Sequence, residues 1–427
     1  MEKKKIKVMS FGDNCYMSTG YGTVWFNLLK RFAKLKPDWD FMHVGWQNTD
    51  RPHRTSDGYI SLPRSRDTHG FDIVFPYIMK YKPDILITLA DVGKQSGWIK
   101  GISEAKKSGW KGKWLAYSPI DCHQWAIHWT EIFMVPDINI AMSKFGESMM
   151  KKYDVPNVKM IPHGVDTKAY FPKKEREENR KKFGINDKFV VGFVGRNQTR
   201  KMIPYMMGFV GRNQTRKMIP YMMRGFSKFA KDKDDVVLLM HTDAHPPGGE
   251  GHGSVIDALV WKFEQETKSD LFQSKKIMMT ESNMDIISRQ GIQPDNMNDV
   301  YNLFDIFLYS TGGEGFGLPA IESQASGVPI LMSNNSTGPE LVEETGELID
   351  MQKDKYGRPI GYIGTNGVEN CVPDDNHITL LLEKYYKDWK GDKLTLKEMS
   401  EKSRKFAETY SWDLVAPKWI ELFEQEV

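Results

Sequence analysis

Short apolar runs alternate with longer amphipathic stretches through almost the whole chain, and that alternation leaves few folds open. A strand covered on both faces reads as a continuous apolar run, whereas a crossover helix shows an apolar stripe every three to four residues. The two in alternation predict parallel sheets with helices on both faces, an α/β architecture. Strands are expected at 6–11, 41–46, 84–90, 113–118, 137–142 and 157–161, with a helix around 23–35 after the first of them. Residues 168–187, rich in Lys, Arg and Glu and holding Pro172, read as a charged, partly helical connector. The pattern then restarts, with strands at 188–195 or 207–211, then at 235–241, 276–280, 305–309 and 328–332. From about residue 374 the chain is helical, and Trp412, Leu414, Val415, Trp419, Ile420, Leu422 and Phe423 suit one buried face of a last helix. The domains expected are therefore 1–167, a connector at 168–187, and 188–411, with 412–427 returning to the first domain.

With 427 residues, 40% hydrophobic and 27% charged, the chain can bury two cores of ordinary domain size. A net charge of +3 is too small to make nucleic acid the main partner, and Lys3-Lys4-Lys5 reads as a solvated lead-in to the first strand. Cys15, Cys122 and Cys371 are far apart and odd in number, which suits a reducing, cytoplasmic setting. Ser10, Gly12 and Asp13 interrupt any apolar run after the lysines, so no signal peptide is expected. No stretch is long and apolar enough to span a bilayer.

One feature stands outside this pattern. Residues 192–207, GFVGRNQTRKMIPYMM, recur unchanged as residues 208–223. Two copies of sixteen residues are too few for a repeat array, and perfect identity points to a recent tandem duplication or an artefact of the sequence itself.

The densest chemical signal is Ser310-Thr311-Gly312-Gly313-Glu314-Gly315-Phe316-Gly317-Leu318-Pro319-Ala320-Ile321-Glu322, which follows the apolar run Ile306 to Tyr309. The glycines let backbone come close to a ligand, and Pro319 suits a first helical turn. A strand, a glycine turn and a helix start together make an anion site, because free amides and the helix dipole face the ligand. Glu314 in the turn and Glu322 about one turn into the helix can accept hydrogen bonds from the vicinal hydroxyls of a ribose or hexose.

This Glu-x7-Glu string, with Ala325-Ser326-Gly327-Val328-Pro329-Ile330-Leu331 after it, resembles the GT4 family of retaining glycosyltransferases. Other segments resemble the family in its order. These are Ile161-Pro162-His163-Gly164-Val165-Asp166 with Tyr170-Phe171-Pro172 (His163 standing where Asn is usual), Asp299 to Asp305, and Ser411-Trp412. Phe193-Val194-Gly195-Arg196-Asn197 with Arg200-Lys201 resembles the donor-phosphate loop. The resemblance implies a GT-B fold: two Rossmann-like doubly wound domains facing a central cleft, with the C-terminal helix crossing back. It implies that Glu322 holds the nucleotide ribose, that Glu314 and the amides of Gly315, Phe316 and Gly317 hold the donor sugar, and that the Leu318 amide faces a phosphate. An Arg-Lys pair would neutralise the diphosphate leaving group.

Arg200-Lys201 and Arg216-Lys217 are equal by sequence for that last role. The second pair is favoured, since it runs unbroken into the helical stretch Met218 to Lys231. Residues 207–211 would then be its strand, or the first copy supplies the strand and the rest loops out.

In the first domain, Ser18-Thr19-Gly20-Tyr21-Gly22-Thr23 follows a strand and opens a helix, so Gly20 and Gly22 join the donor-site candidates on the cleft; the loop lacks a dinucleotide or Walker order. Asp121 and His123 follow the strand at 113–118, where strand ends present polar groups to a cleft. His123 resembles the family's histidine that contacts donor sugar or substrate, and a capping role is an equal alternative. Asp91 is a weaker candidate of the same kind. His241, His245 and His252 with Asp243 lack zinc spacing, and no metal is expected. Eight of the twelve tryptophans precede residue 130; most should be core, though a basic-aromatic face around Trp98, Trp110 and Trp114 would allow peripheral membrane contact.

The expectation is a cytoplasmic hexosyltransferase, at the inner membrane surface if that face exists. It would use a nucleoside diphosphate sugar and no cofactor or metal, act on a carbohydrate or glycolipid hydroxyl and bind no nucleic acid. Retention rests on the family resemblance alone. The alternatives are a catalytically inactive nucleotide-sugar-binding module and a sugar-nucleotide epimerase of the same fold.

Overall fold

The computed structural model describes residues 5–17, 19–46, 48–64, 66–195, 217–242, 256–271, 273–279, 294–363 and 367–427. In chain order the first lobe comprises β1 (Lys7–Gly12), α1 (Gly20–Leu35), β2 (Asp40–Gly45), β3 (His53–Arg54), β4 (Ile60–Leu62) and α2 (Val74–Tyr81). It continues with β5 (Ile85–Leu89), α3 (Val92–Lys107), β6 (Lys113–Ser118), α4 (Ile127–Phe133), β7 (Ile138–Ala141), α5 (Lys144–Lys152) and β8 (Val158–Met160). Helix α6 (Arg176–Lys182) leads into the second lobe: β9 (Phe189–Val194), α7 (Ile219–Ala230), β10 (Val236–His241), α8 (Ile256–Thr267), β11 (Ile277–Met279), α9 (Pro294–Asn302) and β12 (Ile306–Tyr309). Then follow α10 (Leu318–Ala325), β13 (Ile330–Ser333), α11 (Gly338–Val342), β14 (Gly346–Ile349), the hairpin β15 (Gly361–Ile363) and β16 (Glu369–Cys371), α12 (Asp375–Lys390), α13 (Leu394–Thr409) and α14 (Trp412–Glu426).

The first sheet runs β3-β4-β2-β1-β5-β6-β7-β8 and is parallel except for the β3–β4 pair. The second runs β11-β10-β9-β12-β13-β14 and is parallel throughout. Helices cover both faces, so central strands such as β5 and β12 are buried at every residue. This is the GT-B architecture. In the first sheet β1 is central, with β2 on one side and β5 on the other, so the crossovers reverse between β1 and β5 and open a crevice at the strand C-termini.

Helix α14 returns to the first lobe. Phe32 of α1 meets Trp419 and Phe423 edge-on, at 6.5 and 5.4 Å between ring centroids. Arg31 binds Asp413 at 2.7 Å, and backbone bonds join Val165 to Tyr410 and Trp412. Leu414, expected on the buried face, is instead 55% exposed, because the helix turns that position outward while Val415 and Ala416 pack inward. The connector is anchored too: Arg176 and Arg180 of α6 both bind the buried Asp305, at 2.7 and 2.9 Å.

One open reading is decided and one expectation changes. The first copy of the duplicated segment supplies the central strand, since residues 192–194 belong to β9 and pair with β10 and β12. The second copy supplies Lys217 and the start of α7, which places strand and helix in different copies. The alternative strand at 207–211, with Arg200, Lys201 and Arg216, lies outside the described residues. Trp98, Trp110 and Trp114 are all buried, in the core between the sheet and helices α2 and α3, so they form no membrane-facing surface. Trp110 donates its indole N–H to the Pro83 carbonyl and Trp114 to Thr88, which explains how their polar edges are tolerated inside.

Candidate active site

The glycine loop joins β12 to α10. Gly317 precedes the helix with φ of +100°, a backbone conformation that glycine adopts without strain, and Pro319 sits in the first turn. Two other glycines are required by the opposite lobe. A Cβ on Gly313 would lie 2.1 Å from the Asp121 carbonyl oxygen, and one on Gly315 would lie 2.4 Å from Pro119 Cβ. The loop therefore packs directly on the turn after β6, closing the cleft at that point.

Within this contact the amides of Gly315, Phe316, Gly317 and Leu318 have no hydrogen-bond acceptor among the described residues, and the first three of these residues are buried. Such a row at a helix start is costly unless an anion or water takes it.

Glu314 points inward. Its Oε1 accepts from Lys217 Nζ at 2.6 Å, from the Tyr309 hydroxyl at 2.9 Å and from Thr311 Oγ1 at 3.2 Å. The Lys217 ammonium also lies 4.5 Å from the centre of the Tyr309 ring. The structure thus pairs the candidate sugar-binding carboxylate with the candidate phosphate-binding cation. Glu322, on α10, accepts from the buried Tyr301 hydroxyl at 2.8 Å. Burial pushes the Glu322 carboxyl above the usual carboxylate range, against hydrogen bonds from Tyr301 and Tyr170 that act the other way.

Of the first-lobe candidates, Gly20 lies beside this loop and His123 meets the segment behind it. Gly20 opens α1 with its Cα hydrogen side toward Leu318, where a Cβ would be 3.6 Å from Leu318 Cδ1. Gly22 serves the helix cap instead, its amide donating to Thr19 Oγ1 at 3.0 Å, and a Cβ there would strike the Met17 carbonyl. His123 is exposed and its Nε2 lies 3.0 Å from Asn335 Oδ1, across the cleft. Asp91 accepts from the Tyr21 hydroxyl at 2.7 Å, linking the first turn of α1 to the turn after β5 at the crevice between β1 and β5.

His163, standing where the resemblance expects Asn, is buried against Phe316 and hydrogen-bonded through Nδ1 to the Tyr117 hydroxyl at 2.7 Å. Burial pushes its pKa down to about 3, so it is neutral near pH 7. His245 and His252, with Asp243, lie outside the described residues.

Sequence reasoning passed over the segment that supports the loop from behind. At the end of β13 and just beyond it, Ser333 Oγ accepts from the Thr311 amide and Ser336 Oγ from the Glu314 amide, both at 2.8 Å. Asn335 Nδ2 donates to the Gly312 carbonyl at 2.6 Å, and Thr337 Oγ1 to the Phe316 carbonyl at 3.0 Å. A run of Ser, Asn and Thr between an apolar strand and Gly338-Pro339 was the available signal, since such residues hydrogen-bond nearby backbone. Tyr309 was equally unmarked, and Tyr301 stood in the family-like stretch Asp299 to Asp305 with no role assigned to it.

Chemically, the site offers unclaimed amides at a helix N-terminus, one buried cation and two carboxylates, a set suited to a phosphorylated, polyhydroxylated ligand. The fold is of the GT-B class. Residues 198–355 match the family described as glycosyl transferases group 1. It is 27% identical over 180 residues to mannosylfructose-phosphate synthase of Agrobacterium fabrum, covering 42% of this chain and 32% of that protein. It is 28% identical over 201 residues to the lipopolysaccharide core biosynthesis mannosyltransferase LpsB of Rhizobium meliloti, covering 46% and 47%. The matches thus span about a third and about half the length of these relatives. Among solved structures, sucrose-phosphate synthase of Thermosynechococcus elongatus aligns over 99% of both chains with a TM-score of 0.71 at 14% identity. HepE of Anabaena in complex with UDP aligns over 99% of this chain and all of that one with a TM-score of 0.66 at 10% identity. These two likenesses concern the fold.

Proposed function

We propose that this protein transfers a hexose from a nucleoside diphosphate sugar to an acceptor hydroxyl, as a GT4-type enzyme acting with retention and without a metal or other cofactor. The observation that carries the proposal is the row of unclaimed amides from Gly315 to Leu318 beside Lys217 and Glu322. In this reading Glu322, oriented by Tyr301, takes the ribose hydroxyls. The Leu318 amide takes a phosphate oxygen, and Gly315, Phe316 and Gly317 line the sugar.

Lys217 turns from Glu314 to the diphosphate, whose charge Arg216 also neutralises. That movement frees Glu314 to accept a sugar hydroxyl and puts positive charge where the leaving group gains negative charge. The anomeric carbon–oxygen bond to the diphosphate breaks as the bond to the acceptor oxygen forms, and the leaving phosphate takes the acceptor proton. His123 faces the transferred sugar from the first lobe. The acceptor, a carbohydrate free or as a glycolipid head group, enters the crevice marked by Tyr21 and Asp91, where the strand order reverses. UDP-hexoses are the first donors to test, because HepE structures hold UDP and UDP-glucose. The free, buried thiols of Cys15, Cys122 and Cys371 support a cytoplasmic setting.

The test is acceptor-dependent release of nucleoside diphosphate from UDP-, GDP- and ADP-hexoses, with the product anomer read by NMR. The proposal expects release with one donor class and its loss in Lys217→Met. Binding without turnover across all acceptors would favour the inactive module, and an epimerised sugar nucleotide formed without acceptor would favour the epimerase.

A further inference from the structure

The segment that supports the glycine loop is itself fastened to the first lobe. Glu340, in the first turn of α11, sends its carboxylate across the cleft to the start of α5. There Oε2 accepts from the Lys144 amide at 2.8 Å, and the Phe145 amide and Ser143 side chain face the same group. The first N–H groups of a helix have no partner within it and carry partial positive charge. Helix α5 satisfies one through its own cap, where Ser143 Oγ accepts from the Gly146 amide at 3.0 Å. The charge that completes this helix start comes from a residue 196 positions away, in the other lobe.

Residues 333–340 therefore join three things. Ser333, Ser336 and Thr337 fix the backbone of the glycine loop, Asn335 ties Gly312 to His123, and Glu340 ends the segment on α5. Charge-assisted bonds of this kind are roughly twice as strong as neutral ones, so the Glu340 contact is the strongest candidate to hold the lobes together here.

We propose that Glu340 is a positioning residue for the transfer reaction: its contact with α5 holds the lobes closed and keeps Asn335 where it aligns the glycine loop with His123. The effect on transfer rests on the donor-site reading above, whereas the effect on lobe closure does not.

The experiment measures the separation of spin labels placed at Lys152→Cys on α5 and Glu344→Cys beyond α11. Both positions are exposed and the native cysteines are buried. Glu340→Ala is expected to lengthen and broaden the distance relative to the labelled parent. Lys144→Pro provides the second variant. It deletes the donating amide at the first helical position, where proline is tolerated, and the preceding Ser143 is already extended at φ −154° and ψ 158°. It should shift the distance likewise with Glu340 intact.

In transfer assays both variants should lose at least about tenfold in kcat, within the roughly hundredfold that a misplacement of about 1 Å can cost, with donor KM within about twofold. Unchanged distances in both folded variants would overturn the proposal, as would a rise in KM with kcat intact. Widened distances in a protein that shows no turnover would support the latch and refute the donor-site reading instead.

Discussion

Replacing Lys217 by methionine removes the cation facing Glu314 in a site nearly closed to solvent, the two side chains being 10% and 6% exposed. Removing one partner of a buried pair costs about 3–5 kcal/mol, because the remaining charge is left uncompensated. Here Tyr309 and Thr311 still donate to Glu314, so the expected loss lies at the lower end, about 3 kcal/mol. Adding Glu314→Gln removes the stranded charge while keeping an oxygen for both hydroxyls. The double variant should therefore be only about 1 kcal/mol below the parent, less than the Lys217→Met loss alone and far less than the sum of the two single losses. Urea unfolding of parent, single and double variants, followed by circular dichroism, supplies the cycle. A Lys217→Met loss below about 1 kcal/mol, or additive losses in the double variant, would refute the buried-pair argument. Lys201→Met is the control between the two copies, and an equal loss there would contradict the choice of the second.

Other expectations follow from particular contacts. His43 and His163 are buried and held neutral, with pKa values pushed down to about 4 and about 3. The unfolded chain binds protons at these histidines near pH 6.5 while the folded one does not, so stability is full above that pH and falls as the solution is acidified toward the folded values. Each should cost about 2 kcal/mol by pH 5, and His163→Asn should narrow the loss between pH 7 and pH 5 by that amount; parallel curves would contradict it. In Gly313→Ala the new Cβ meets the Asp121 backbone carbonyl, so the lobes should separate in the spin-label measurement, and an unchanged distance would show that the cleft contact yields elsewhere. Tyr301→Phe should weaken nucleotide binding about fivefold through the loss of one hydrogen bond to Glu322, measured by calorimetry; undiminished affinity would show that Glu322 needs no such support.

The parallel architecture was legible because its strands are buried on both faces, and runs such as Ile85–Leu89 and Ile306–Tyr309 admit no polar alternation. The two-residue β3, the short β4 and the polar hairpin β15–β16 were not, because edge and hairpin strands of such length carry too few apolar residues to give a periodic signal. The duplication left two readings of the strand open by local pattern, and tertiary pairing sets residues 192–194 into β9 while Lys217 reaches Glu314. Within the site, the glycines were visible, but the contacts that require Gly313 and Gly315 come from the other lobe and have no local signature. The same holds for Asn335 and Glu340, whose partners His123 and Lys144 lie far away in sequence.

The most direct test of the donor-site account is thermal unfolding of the protein and of Glu322→Ala with UDP, GDP, ADP and their hexose conjugates. A ligand at a hundred times its dissociation constant adds about 2.7 kcal/mol, which raises the melting temperature of a lobe this size by roughly 5–10 °C. The account predicts such a shift with one nucleotide class, lost or strongly reduced in Glu322→Ala. No shift with any nucleotide, or a shift that survives Glu322→Ala undiminished, would contradict it.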